Sequence, residues 1–308
     1  MTRHPLVLFV VAALAFGTAF VGIKAGVATL PPVLFTALRF DLGATLLLSA
    51  VLLSRGVRGC LPGGRRDLLG IGVAGVFLVF SNGVLLFVGQ QFTTSAAAAV
   101  IYGVVPIATT PVAIVLLGAR LSLRGVVGLL VGFAGLLVVV QPSPALLAGA
   151  GVGEPLVVVA AFSVAFGSVL LRRVAPPMGS LPLTAWAMVV GAVGAHALSL
   201  ALGEPQFATV AWTPREVAAV VWLGTVSTGL AFPAYFALIR TAGPVRANLV
   251  AYVVPVVAAV SGAVVLGERV AVSTAVGFLV VLVGFSLLEF EALRRDARVA
   301  WERFRSAD

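Results

Sequence analysis

Val104–Arg120 reads VVPIATTPVAIVLLGAR, and Val253–Arg269 reads VVPVVAAVSGAVVLGER, a second copy displaced by 149 residues. Both lie inside a longer ungapped match of Phe87–Val140 with Phe236–Glu289, about a quarter of it identical. Pro106 falls on Pro255, Leu117-Gly118 on Leu266-Gly267, Arg120 on Arg269, Gly128 on Gly277 and Gly135 on Gly284. Earlier in each half, Ala15-Phe16-Gly17-Thr18 matches Ala165-Phe166-Gly167-Ser168, and Pro32 matches Pro182. Self-similarity at a fixed period governs the architecture and is read before anything else.

The composition says where such a repeat lives. Hydrophobic residues make up 61% of the 308-residue chain, and charged residues 10%. A soluble domain, with its usual charge of about 25%, has too little interior for that apolar surface. The single Cys60 excludes a disulfide framework, and with only two histidines, His4 and His196, a histidine metal cluster is not expected. Neither a metal nor a cofactor is expected. The net charge of +9 sits between apolar runs. It therefore reads as membrane topology and contact with anionic lipid, not as nucleic-acid binding.

Ten runs are long enough to cross about 30 Å of hydrocarbon as helices. They are 6–28, 32–54, 67–90, 94–117, 122–140, 154–174, 180–202, 215–238, 245–266 and 272–290. Backbone groups in lipid must pair within the segment, so each run is helical. The expected fold is an all-α integral membrane protein with ten transmembrane helices. Its first five-helix repeat covers 6–140, its second 154–290, and a basic cytoplasmic tail 291–308. Because five is odd, the two repeats enter the bilayer in opposite directions. They are inverted about an axis in the membrane plane, a layout that builds a central site open to either side.

Basic residues orient the chain. About sixteen arginines fall on the side of the N-terminus, whereas Arg215 and Arg269 are the basic residues of the opposite connections. The bias places both termini in the cytoplasm, as expected of a bacterial inner-membrane protein. Gly125, Gly128, Gly132 and Gly135, with Gly277 and Gly284, supply small faces for close helix packing. Thr213-Pro214-Arg215-Glu216 is a capping box with Pro at the first helical position. In the tail, Leu293, Ala297, Trp301 and Phe304 alternate with arginines at helical spacing, as in a helix lying on an anionic leaflet.

The doubled order of motifs resembles the EamA-type transporters of the drug/metabolite transporter superfamily. Each half carries Phe-Gly-Thr/Ser in its first helix (Phe16-Gly17-Thr18 and Phe166-Gly167-Ser168) and Pro in its fourth. A Leu-Gly-x-Arg turn and a Gly-spaced fifth helix follow. Lys24 and Arg39-Phe40 also fit the pattern, while Ala119 departs from it where Glu is usual. The resemblance implies a cavity lined by helices 1–4 and 6–9, peripheral helices 5 and 10, and export of small metabolites.

Ionisable groups inside a span are costly and need a reason. Lys24 and Arg39 are candidate receptors for a substrate carboxylate or phosphate. Lys24 and Asp41, leaning toward each other from neighbouring spans, are expected to pair. Asp41 and His196 are the proton-coupling candidates. Asn82, Tyr102, Trp186, Tyr235, Asn248 and Tyr252 are further substrate-binding candidates, polar or aromatic groups suited to a mostly apolar pocket. Pro106 and Pro255 are hinge candidates, because a proline frees a backbone carbonyl near midspan. Glu268 reads as a turn or cap residue.

The function expected is secondary transport of a small-molecule substrate by alternating access, with amino acids or similar amphipathic compounds exported. Membrane lipid is the other partner, and a homodimer is compatible with the sequence. The chain has no Walker-type phosphate loop. The alternatives are a non-transporting membrane sensor or assembly partner, and an intramembrane lipid-modifying enzyme. The enzyme is disfavoured because it needs clustered catalytic groups.

Overall fold

The computed structural model describes residues 5–118, 122–140, 151–269 and 272–288, and the described residues are helices and connections without a strand. The helices are α1 (Pro5–Val27), α2 (Pro32–Cys60), α3 (Arg65–Gln91), α4 (Ser95–Ile101 continuing as Val104–Leu117) and α5 (Leu123–Val140). The second half gives α6 (Gly153–Val174), α7 (Ser180–Ala201), α8 (Pro214–Ala242), α9 (Pro244–Asn248 continuing as Val250–Leu266) and α10 (Val272–Leu288). Eight of them are long and apolar enough to cross a membrane. The other two, α5 and α10, carry the shorter apolar stretches Leu123–Gly135 and Ala275–Gly284. The tail 291–308 lies outside the described residues.

Helix packing exchanges the halves. α1 runs along α9 and α8, while its counterpart α6 runs along α4 and α3. The first helix of each half thus finds its main neighbours in the other half. α2 runs along its own counterpart α7, and α5 along α10. The α5–α10 contact is backbone on backbone. A Cβ at Gly284 would sit 2.7 Å from the Gly128 carbonyl oxygen, and one at Gly135 would sit 2.8 Å from that of Gly277. Nothing larger than hydrogen fits, which is how small residues let helices associate where lipid offers no hydrophobic drive.

Three departures from regular helix matter for the interior. α3 widens to π geometry over Ala74–Ser81, and α8 does so over Leu223–Ala231. The two segments begin at positions related by the same 149-residue offset. α4 breaks at Tyr102-Gly103 and α9 at Leu249. Pro106 and Pro255 lie a few residues beyond these breaks, inside the continuing helices. α2 extends to Cys60, beyond the expected 54, by bending through Gly56, whose φ of 67° is left-handed and open to glycine.

The two ends of the bundle are tied differently. At one end carboxylates accept from helix starts and connections. Glu204 takes the N–H groups of Val33 (3.1 Å) and Leu34 (2.8 Å), and Glu216 takes the Thr29 hydroxyl (2.7 Å). Glu268 takes the N–H and hydroxyl of Ser95. At the other end arginines donate to carbonyls. Arg173 reaches Leu116 (3.2 Å) and Arg240 reaches Met178 (3.1 Å), while Asp67 holds the Met178 N–H (2.9 Å). The capping box at Thr213 and Glu216 is formed as expected.

Candidate functional site

A narrow cavity lies between α1, α2, α3, α4, α6, α8 and α9. Neither α5 nor α10 lines it, and neither does α7. Its walls are largely aromatic and aliphatic. Phe16 meets Phe232 edge-on at 5.1 Å and Tyr235 at 5.9 Å, and Phe20 meets Tyr102 at 5.5 Å. Edge-to-face packing of this kind fixes ring orientation and keeps the wall stiff.

Arg39 is the charged residue of the lining. It is 3% exposed, and its guanidinium carbon lies 4.5 Å from the Phe40 ring centre and 4.3 Å from that of Phe87. The two rings give the cation partial compensation, since a desolvated cation–π contact contributes about 2 kcal/mol. Its Nε has no hydrogen-bond partner, and no carboxylate pairs with it among the described residues. The Ser227 hydroxyl, also in the lining, is buried without a partner. Buried polar atoms are nearly always satisfied, so two orphans around one cavity mark a place for a polar ligand.

The two asparagines and two tyrosines of the lining form two Tyr–Asn pairs with exchanged roles. In the first half Asn82 on α3 accepts from the Tyr102 hydroxyl on α4. In the second, Tyr235 on α8 donates to Asn248 on α9. Asn248 also donates to Thr109 of α4 (2.7 Å) and Ser168 of α6 (3.0 Å), so one amide joins four helices. Asn82 completes itself within α3 by donating to the Leu78 carbonyl (3.2 Å).

Arg39, Asn82, Tyr102, Tyr235 and Asn248 therefore line one cavity, while the remaining candidates sit elsewhere. Lys24 turns away and donates to the carbonyls of Gln90 (3.0 Å) and Gln91 (3.5 Å) at the end of α3. The expected Lys24–Asp41 pair is not formed. Asp41 instead lies 2.7 Å from His196 of α7, because α2 packs along α7 and barely touches α1. Trp186 donates to the Cys60 carbonyl (2.8 Å), securing the end of α2. Tyr252 is buried outside the lining.

Sequence reasoning passed over Phe16, Phe20, Phe232 and Ser227 as site residues. Phe16 carried a signal in the repeated Phe-Gly-Thr/Ser motif. Its mate Phe166 packs edge-on against Phe77 at 5.2 Å and does not line the cavity, so the motif does different work in the two halves.

A bundle of long apolar helices around a polar-tipped apolar cavity is the build of a multi-pass membrane protein with a small-molecule pocket. The chain belongs to the EamA-like transporter family, whose profile matches it twice, at residues 4–141 and 151–290. It is 33% identical over 254 residues to an uncharacterized inner membrane transporter, YedA, of Escherichia coli K12, covering 82% of this chain and 80% of that one. It is 26% identical over 273 residues to an uncharacterized transporter of Archaeoglobus fulgidus, covering 89% of this chain and 94% of the relative. A solved crystal structure superposes with a TM-score of 0.71 at 22% identity, over 94% of this chain and 98% of that one. At that identity the likeness speaks for the fold alone.

Proposed function

We propose that the protein is a secondary transporter of small amphipathic metabolites bearing an anionic group, amino acids first among them, working by alternating access in the export direction. The observation that carries the reading is Arg39, a buried guanidinium in the lining of an aromatic cavity, whose Nε has no hydrogen-bond partner. An Arg in that state recognises carboxylate or phosphate through charge-assisted, bidentate contacts. The aromatic walls take the apolar body of the substrate.

Ten spans in two inverted five-helix repeats, with both termini cytoplasmic, complete the proposal. The exchange of packing partners between the halves and the 149-residue offset of the π segments support a pseudo-two-fold relation. The arginine-tied end fits the cytoplasmic side. Rocking of one half against the other would open the cavity at either end, with the helix breaks beside Tyr102 and Leu249 as hinges. Asp41 and His196, brought together as one unit, are proposed to couple a proton to this movement.

The test is counterflow in proteoliposomes with radiolabelled amino acids, nucleobases and sugars, at several pH values. An amino acid that exchanges with wild type and not with Arg39→Gln supports the reading. Equal exchange in both removes it.

A further inference from the structure

A second open space lies away from the central cavity. It is an open groove between α1, α8 and α9 at the carboxylate-tied end. Thr18, Gly22 and Ala25 of α1 face Arg215, Ala218 and Trp222 of α8, and Ser261 and Val265 of α9 close the third side. These are i, i+3/i+4, i+7 stripes, so the groove runs along the helices for about 10 Å from its rim. Arg215 stands at the rim, exposed. Its neighbour Glu216 is occupied by Thr213 and Thr29, and no carboxylate pairs with Arg215 among the described residues.

The counterpart place in the other half is plugged. Gly70 of α3 corresponds to Ala219, and a Cβ on Gly70 would sit 2.7 Å from the ring of Pro176. Ala219, by contrast, belongs to the lining of the groove. Trp222, 45% exposed, lies in the groove wall below Arg215.

We propose that this groove binds an anionic phospholipid, with one acyl chain lying along Gly22, Ala25 and Ala218 and the phosphate held by Arg215. Charge complementarity selects this occupant. A free cation at the rim of an apolar slot matches a negative headgroup above a hydrocarbon chain, and a polybasic surface is not needed when the chain is also seated. Arg215 is also one of the few basic residues at an end that otherwise lacks them, the end where topology gives a cation no advantage. The site is separate from the transport cavity and does not depend on the substrate proposed for it.

The experiment is native mass spectrometry of the full-length protein with added phosphatidylglycerol or phosphatidylcholine of identical acyl chains. Wild type is expected to retain phosphatidylglycerol in preference to phosphatidylcholine. Arg215→Gln is expected to lower phosphatidylglycerol retention about fivefold, the effect of one basic residue near a lipid surface, and to erase the preference. Ala218→Phe fills the slot and abolishes retention of both lipids. Ala25→Leu takes its place if circular dichroism shows that Ala218→Phe does not fold. Retention unchanged by slot filling, or a lipid preference unchanged by Arg215→Gln, overturns the proposal. So does a dimer peak that slot filling splits, which would assign the groove to a second copy of the chain.

Discussion

Nε2 of His196 lies 2.7 Å from Oδ2 of Asp41, joining α7 to α2 across 155 residues of chain. The two side chains are 38% and 46% exposed and lie outside the central cavity. They sit on the seam between a helix and its own repeat counterpart, where a relative movement of the halves would be felt. A double-mutant cycle of Asp41→Asn and His196→Gln, read by thermal unfolding, is expected to give a coupling on the order of 1 kcal/mol. The same cycle for Lys24→Gln with Asp41→Asn is expected to give none. In transport assays, either single change at the pair is expected to flatten the pH dependence of exchange.

Replacement of Arg39 separates recognition from stability. If Arg39 holds the substrate as proposed, losing a charge-assisted contact of about 1.5–3 kcal/mol is expected to raise the substrate KM roughly tenfold to a hundredfold in Arg39→Gln. The variant's melting temperature is expected to hold or rise, because a buried charge that the two rings compensate only in part has been removed. Substrate titrations and thermal scans on the same preparations check both halves of the expectation. Arg39→Lys should recover part of the affinity without the bidentate geometry.

Asn248 and Asn82 provide an internal comparison. Asn248 bonds Tyr235, Thr109 and Ser168, whereas Asn82 makes one bond to another helix, from Tyr102. At about 0.6 kcal/mol per interhelical hydrogen bond in a membrane, Asn248→Ala is expected to cost about 2 kcal/mol, and Asn82→Ala less than half of that. Unfolding by denaturing detergent measures the difference. Equal losses would contradict the count of bonds as the source of the difference.

Gly284→Leu places a side chain against the backbone of Gly128 and Gly132. Overpacking of this kind costs about 1–3 kcal/mol. The loss should appear in stability while exchange activity in the surviving protein is retained, since α5 and α10 lie outside the cavity lining.

The repeat, the helical spans and the capping box could be read from residues alone, because each is a local or periodic signal. So could the polar set Asn82, Tyr102, Tyr235 and Asn248, since amides and tyrosines inside apolar spans are conspicuous. The partners could not. Lys24 and Asp41 belong to consecutive spans and lean toward one another, yet α1 barely touches α2 and lies along α9. The neighbour that α1 takes instead runs parallel to it and lies at the far end of the chain, a choice that sequence adjacency does not reveal. The π segments at Ala74 and Leu223 left no trace either. One extra residue per turn over two turns shifts the facing side without altering composition or hydropathy.

The exchange of first helices also sets a timetable for synthesis. Gly17 of α1 seats against Val257 of α9, 240 residues later in the chain. At a ribosomal pace of about 5–20 residues per second, α1 waits some 12–48 seconds for its partner. During that interval the Gly17 side of α1 has not yet met the helix it packs against, although α3 and α4, which also touch α1, are already made. α6, by contrast, emerges when α3 and α4 are already in place. The two halves are therefore unequal during biogenesis, and the first helix, not the seventh or the tenth, is where insertion factors would have most to protect.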